Sequence, residues 1–130
     1  MTSGLDTSVV VRLLIGAPAD QAMIAQQVIE SAAARSIAVS DLVVEEAYFA
    51  LRHHYDVPHR RAIAALSALV SDPRIRCTGI AAQVLASMPE RDVGPGLMDR
   101  LIHGGYEAEG ITLLTFDRAA ARLPSAQLLV

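Results

Sequence analysis

The chain has 130 residues, 52% of them hydrophobic and 19% charged, with a formal net charge of -3 at pH 7. That length suits one domain, residues 1–130, with a real core, and the acidic balance excludes wholesale electrostatic binding of nucleic acid while permitting a local basic rim. All 11 basic residues are arginine, which excludes Schiff-base chemistry and phosphate-loop lysines, and the single cysteine, Cys77, excludes a disulfide framework and a Cys-rich zinc site from this chain alone.

In chain order, Gly4-Leu5-Asp6 reads as the end of a very short strand that turns into a helix at Thr7-Ser8. Val9, Val10, Leu13 and Leu14 recur at helical spacing until Gly16-Ala17-Pro18 stops them. Asp20 is placed to cap a second helix reaching about Ala34, with Met23, Ile24, Val28 and Ile29 on its apolar side. Residues 37–39 predict a strand, and Ser40-Asp41 suits the start of a helix to about His54, broken by Val57-Pro58. A further helix over 60–70 is rich in alanine and leucine. A strand follows at 74–78, then a short helix at 81–88 and a loop at 89–96. Cys77 reads as a small apolar residue within that strand.

Residues 97–109 return to helix, with Gly104-Gly105 expected to interrupt or kink it. The run ITLLTF at 111–116 is almost continuously apolar, the pattern of a strand covered on both faces of its sheet. It ends on Asp117, followed by a short helix over 118–123 and a last strand at 127–130. Strands alternating with helices predict an α/β fold, a three-layer α/β/α sandwich around a central parallel sheet. No apolar stretch approaches the roughly 18 residues of a membrane span, so no membrane association is expected and the cytoplasm is the expected compartment.

Ligands of open parallel sheets bind outside the carboxyl ends of the strands. Asp6 and Asp117 both end strands, while Glu46 and Asp99 fall in the early turns of helices that open on the same edge. Each alone has an ordinary explanation as a helix cap, a dipole partner or a solvated side chain. Together, four carboxylates repel one another unless protonated or neutralised by a cation, and hard oxygen donors suit Mg²⁺ or Mn²⁺. Arg12 and Arg100 lie near these acids and are candidates for holding phosphates or balancing the carboxylates, with a solvated or ion-paired arginine the plainer alternative. His53, His54 and His59 lack ligand spacing and fit a helix terminus or a ligand contact. His103 can pair weakly with Asp99, and Tyr48 suits packing better than base stacking.

The segments LDTSVVVRLL, SDLVVEEAYFALRHHY, GLMDRLIHGGY and LLTFDRAAARL together resemble the PIN-domain nucleases, especially the VapC-type toxins of toxin–antitoxin pairs. The resemblance covers nearly the whole chain, and D-T-S and T-F-D are its most specific parts. It implies a Mg²⁺-dependent endoribonuclease that acts through metal-activated water. Asp6, Glu46, Asp99 and Asp117 would be its catalytic and metal-binding acids, with Ser8 and Thr115 supporting metal-bound waters. Glu46 matches the family's middle acid better than Glu45, because the Ala-Tyr-Phe-Ala-Leu stretch follows it. Many relatives carry an acid where this chain has Gly96, which bears on a second metal position. The resemblance also implies an RNA substrate, a cognate antitoxin and a homodimer. The alternative of another class is a catalytically impaired PIN-like binding module acting through a protein partner. A receiver domain lacks its required lysine here, and a haloacid-dehalogenase phosphatase would need an acid at Ser8.

Overall fold

The computed structural model describes residues 2–130. Its order is β1 (Ser3–Gly4), α1 (Thr7–Ile15), α2 (Ala19–Glu30), β2 (Ile37–Val39), α3 (Asp41–His53), α4 (His59–Val70), β3 (Ile75–Cys77), α5 (Ala81–Ser87), α6 (Leu97–Glu107), β4 (Leu113–Thr115), a 3₁₀ turn (Ala120–Arg122) and β5 (Ala126–Leu128). All pairings are parallel. β2 lies between β1 and β3 in one ladder, and β4 pairs with β5 in another. The fold is thus α/β, a parallel sheet in two pieces flanked by helices.

The helices begin where their sequences supply acceptors. Asp6 caps α1 by accepting from the Val9 amide, and Ser40 caps α3 by accepting from the Val43 amide. α1 stops at Gly16, whose left-handed φ of 77° lets its N–H reach the Arg12 carbonyl. Asp20 does not cap α2: Pro18 holds the cap position without a side-chain bond, and Asp20 falls in the first turn, complementing the helix dipole. That helix ends at Glu30, short of Ala34.

The core is built where helix faces meet the three-stranded ladder. Val10, Val39, Val44, Leu51 and Leu66 are its largest fully buried side chains. Asp41 performs a task that local sequence conceals. Its carboxylate accepts from the Ile80 and Ala81 amides and so caps α5 from across the fold. A side chain at Gly79 would collide with that carboxylate.

Further expectations are corrected. α6 runs unbroken through Gly104-Gly105, and Gly104 is there for packing: a Cβ would stand 2.9 Å from Ile80 Cδ1. The run 111–116 is not covered on both faces, since Ile111 and Leu114 are exposed and Phe116 is 79% exposed. β4 pairs with β5 alone among the described residues, and its Leu114 side chain is left exposed on one face. The helix foreseen at 118–123 is a 3₁₀ turn, and β5 starts one residue early and ends at Leu128. No single helix among the described residues is long and apolar enough to cross a membrane.

Candidate active site

Asp6 leaves β1 and enters α1 with its carboxylate already committed. Ser8 Oγ donates to Asp6 Oδ1 at 2.6 Å, and the Val9 amide donates to the same oxygen at 3.2 Å. Chiefly the Ser8 hydroxyl, then the Val9 amide, lower its pKa below the ordinary carboxylate value. Asp6 is exposed and stays charged. Thr7, the next residue, donates its hydroxyl to Glu46 Oε1. The start of α1 and the second turn of α3 are therefore fastened together with their acids side by side in the chain path.

Glu45 and Glu46 diverge. Glu46 is exposed, whereas Glu45 is half-buried and its Oε2 has no partner. Burial first, and the charge of Asp99 second, push the Glu45 carboxyl up to about 7. The neighbour that senses Asp99 is thus Glu45, a residue that sequence alignment by resemblance passes over. Its signal was available: Leu42, Glu45, Glu46 and Phe49 follow the i, i+3, i+4, i+7 spacing of one helix face. With Met98 they line a cleft of about 450 Å³.

Asp117 turns its carboxylate to the backbone that follows. Oδ1 accepts from the Ala119 and Ala120 amides, at 2.7 and 3.1 Å, while Thr115 Oγ1 accepts from the Asp117 amide at 2.9 Å. Asp99 sits in the first turn of α6, where the helix dipole favours an anion. Among the described residues, no three His, Cys, Asp or Glu side chains are gathered as a ready-made metal cage. The structure links Asp6 with Glu46 through Thr7, and sets Asp99 near Glu45. Asp117 stands on the separate β4–β5 ladder. The donor set nevertheless fits a hard divalent cation: it is all carboxylate and hydroxyl oxygen, and one buried carboxylate oxygen lacks any positive partner.

Arg12 donates through Nε to Gln21 Oε1 and through Nη1 to the Ser8 carbonyl at 3.1 Å, at the rim of the Asp6 turn. Arg100 donates from Nε to the Pro95 carbonyl at 2.8 Å, leaving its terminal nitrogens without a protein partner among the described residues. The histidines serve packing. His59 is buried between Tyr48 Oη (2.6 Å from Nδ1) and the Pro89 carbonyl (2.9 Å from Nε2). His103 does not pair with Asp99; its Nε2 donates to the Pro124 carbonyl at 2.6 Å and lies 3.5 Å from Glu107 Oε2. His53 and His54 are exposed at the end of α3, where a cation complements the helix dipole. Cys77 is half-buried and its thiol is pushed up by burial, as a small packing residue should be.

A parallel α/β sheet with acids at its strand ends and at the helix starts beyond them is the layout of a phosphodiester-handling fold that recruits a cation. The chain matches the PIN domain over residues 5–125 and belongs to that family, whose members are generally metal-dependent nucleases. No curated protein matches it.

Proposed function

We propose that this chain is a metal-dependent endoribonuclease and the toxin of a type II toxin–antitoxin pair. The observation that carries the reading is the unneutralised acidity between α3 and α6. Glu45 keeps a partnerless buried oxygen and is held near neutrality by its burial and by Asp99, a shortage of positive charge that a divalent cation would satisfy.

Asp6, Glu46, Asp99 and Asp117 would hold Mg²⁺ or Mn²⁺. Such an ion, when bound, supplies charge stabilisation at the scissile phosphate and acidifies water. Thr7 orients Glu46, and Ser8 keeps Asp6 ionised and directed. Thr115, bonded to the Asp117 amide, fixes the turn that presents the last acid. Water would be the attacking group, with the Thr7 and Ser8 hydroxyls engaged by the Glu46 and Asp6 carboxylates. Arg12 and Arg100 border the acids and suit RNA phosphates. An antitoxin arginine entering the same region would inhibit by supplying the missing charge.

The second reading, a PIN-like binding module without activity, draws on the absence of a gathered metal cage among the described residues and on Gly96, where nothing within 4 Å would obstruct a side chain. Incubation with single-stranded and hairpin RNA, in Mg²⁺, in Mn²⁺ and in EDTA, separates the two. Cleavage that needs the ion and disappears in Asp99→Asn is expected. Full cleavage in EDTA overturns the metal mechanism, and no cleavage in either ion favours the binding module.

A further inference from the structure

A cleft of about 530 Å³ lies apart from the α3 face of the acidic site, between α5, α6 and the Leu123-Pro124 turn. Its floor exists because Gly104 has no side chain: the helices approach until a Cβ there would meet Ile80 and Val84. Its walls are largely apolar, from Ile80, Val84, Leu123 and Pro124, with Gln83 and Ser87 of α5 the uncharged polar groups among them. His103, 7% exposed, fixes one wall by donating to the Pro124 carbonyl. A carbonyl only accepts, so Nε2 carries the proton.

The charged groups, Arg100 and Glu107, stand apart along α6. Arg100 and Glu107 are seven residues apart on α6, hence on one face and separated by about 10 Å along the axis. Arg100 follows Asp99 directly, and its terminal guanidinium nitrogens have no partner among the described residues; Glu107 is half-exposed and offers carboxylate acceptors. A flat apolar slot with a cation at one end and a carboxylate at the other has the polarity of a nucleotide lying lengthwise. The spacing compares with the span from a nucleotide's phosphate to the far edge of its base.

We propose that this cleft seats one nucleotide of the RNA substrate, beside the scissile position, and prefers guanine. The inference rests on the ribonuclease reading for its biological sense. Arg100 takes the phosphate. The base lies between the apolar walls, and Glu107 accepts from its Watson–Crick edge. An unpaired guanine presents two adjacent donors, N1–H and the exocyclic amine, which a carboxylate accepts in parallel; no other RNA base does so. Unpaired bases are the usual object of sequence-specific RNA recognition. The chain would then cut RNA at a fixed position relative to an unpaired guanine.

Binding is measurable without catalysis. Amide chemical shifts of the intact protein, in EDTA, are followed while GMP, AMP, CMP or UMP is added to millimolar concentration. GMP should shift Gln83, Gly104 and Glu107, with the other three weaker. Glu107→Gln should cost GMP about tenfold in affinity and erase its advantage, whereas Arg100→Gln should weaken all four alike. Glu107→Asp, which keeps the charge but withdraws it, provides a second variant with the same expected loss of preference. No shift in α5 or α6 with any nucleotide overturns the proposal, as does GMP affinity unchanged in both Glu107 variants. GMP binding without RNA cleavage in any divalent ion would remove the ribonuclease reading and leave the cleft. Cleavage without nucleotide binding would do the reverse.

Discussion

Asp6 carries two duties on one carboxylate: it caps α1 through the Val9 amide and it faces the site as a lowered-pKa anion. Asparagine caps as well as aspartate, and alanine does not. Asp6→Asn should therefore keep the melting temperature within a degree or two while abolishing metal-dependent cleavage. Asp6→Ala should lose cleavage and also lower Tm by a few degrees. Equal Tm losses in both would show that the charge, not the cap, holds α1.

Glu45 gives a pH signature of opposite sign. Its folded pKa of about 7 lies above the reference value of 4.5, so the folded protein retains a proton that the unfolded chain releases. Its contribution to stability is full below about pH 4.5 and is lost as pH rises through about 7. Because the group is only half-buried, solvent reduces the effect to the order of 1 kcal/mol. In EDTA, Glu45→Gln should be as stable as the parent near pH 4.5 and more stable near pH 8. A variant less stable across the whole range would contradict this assignment of the strain. Glu46→Gln, by contrast, should cost cleavage far more than Glu45→Gln does.

At the scale of elements, α6 shows how one dipeptide can hold two different glycines. Gly105 has nothing within 4 Å of its missing Cβ, so alanine there should stabilise by about 0.5–1 kcal/mol through helix propensity alone. Gly104 faces Ile80 at 2.9 Å and Val84 at 3.3 Å. Alanine must displace them, which offsets the propensity gain and leaves Gly104→Ala neutral or destabilised. Thermal melts of the two variants check the contrast. The sequence pattern could not make this distinction, because a glycine's helix cost is local while its packing value depends on α5. The same division runs through the fold. α1 and α3 were legible because periodic apolar residues and their own caps, Asp6 and Ser40, lie within a few residues. The Asp41 cap on α5 was not, since donor and acceptor are about forty residues apart. The run 111–116 announced a strand correctly but not its surroundings: apolar composition tells that burial would be favourable, not which surface provides it. Among the site acids, strand ends and helix starts were readable, whereas the Thr7–Glu46 link and the half-buried Glu45 needed the packing of α1 against α3.

For the whole molecule, the decisive quantity is surface. A folded monomer of this mass exposes about 6,600 Å² by the usual scaling; this chain exposes 7727 Å². The excess, about 1,100 Å², is comparable with the roughly 800 Å² that one partner contributes to a standard interface. Where that surface is apolar is specific. Met23, Ile24 and Val28 stand out from α2, and Leu42 and Phe49 from α3. The alanine-rich α4 adds no such face, being buried through Ala62, Ile63, Leu66 and Leu69. Leu114 of β4 and Phe116 just beyond it add an apolar edge. Single exposed apolar residues mean little, but runs of them along a helix mark interaction sites, and α2 and α3 each pack against α1. The chain is therefore expected to form a homodimer, with an apolar groove bordered by α2 and α3 left for an antitoxin segment. Light scattering at micromolar concentration should give about twice 13.8 kDa. Charge placed on α2, as Ile24→Glu with Val28→Glu, separates the two uses of the surface, because neither side chain is needed for the core. If α2 lies in the dimer contact, the variant becomes a folded monomer; if it serves only the antitoxin groove, the mass stays doubled and antitoxin binding falls. A parent protein that scatters as a monomer at every concentration tested would refute the dimer.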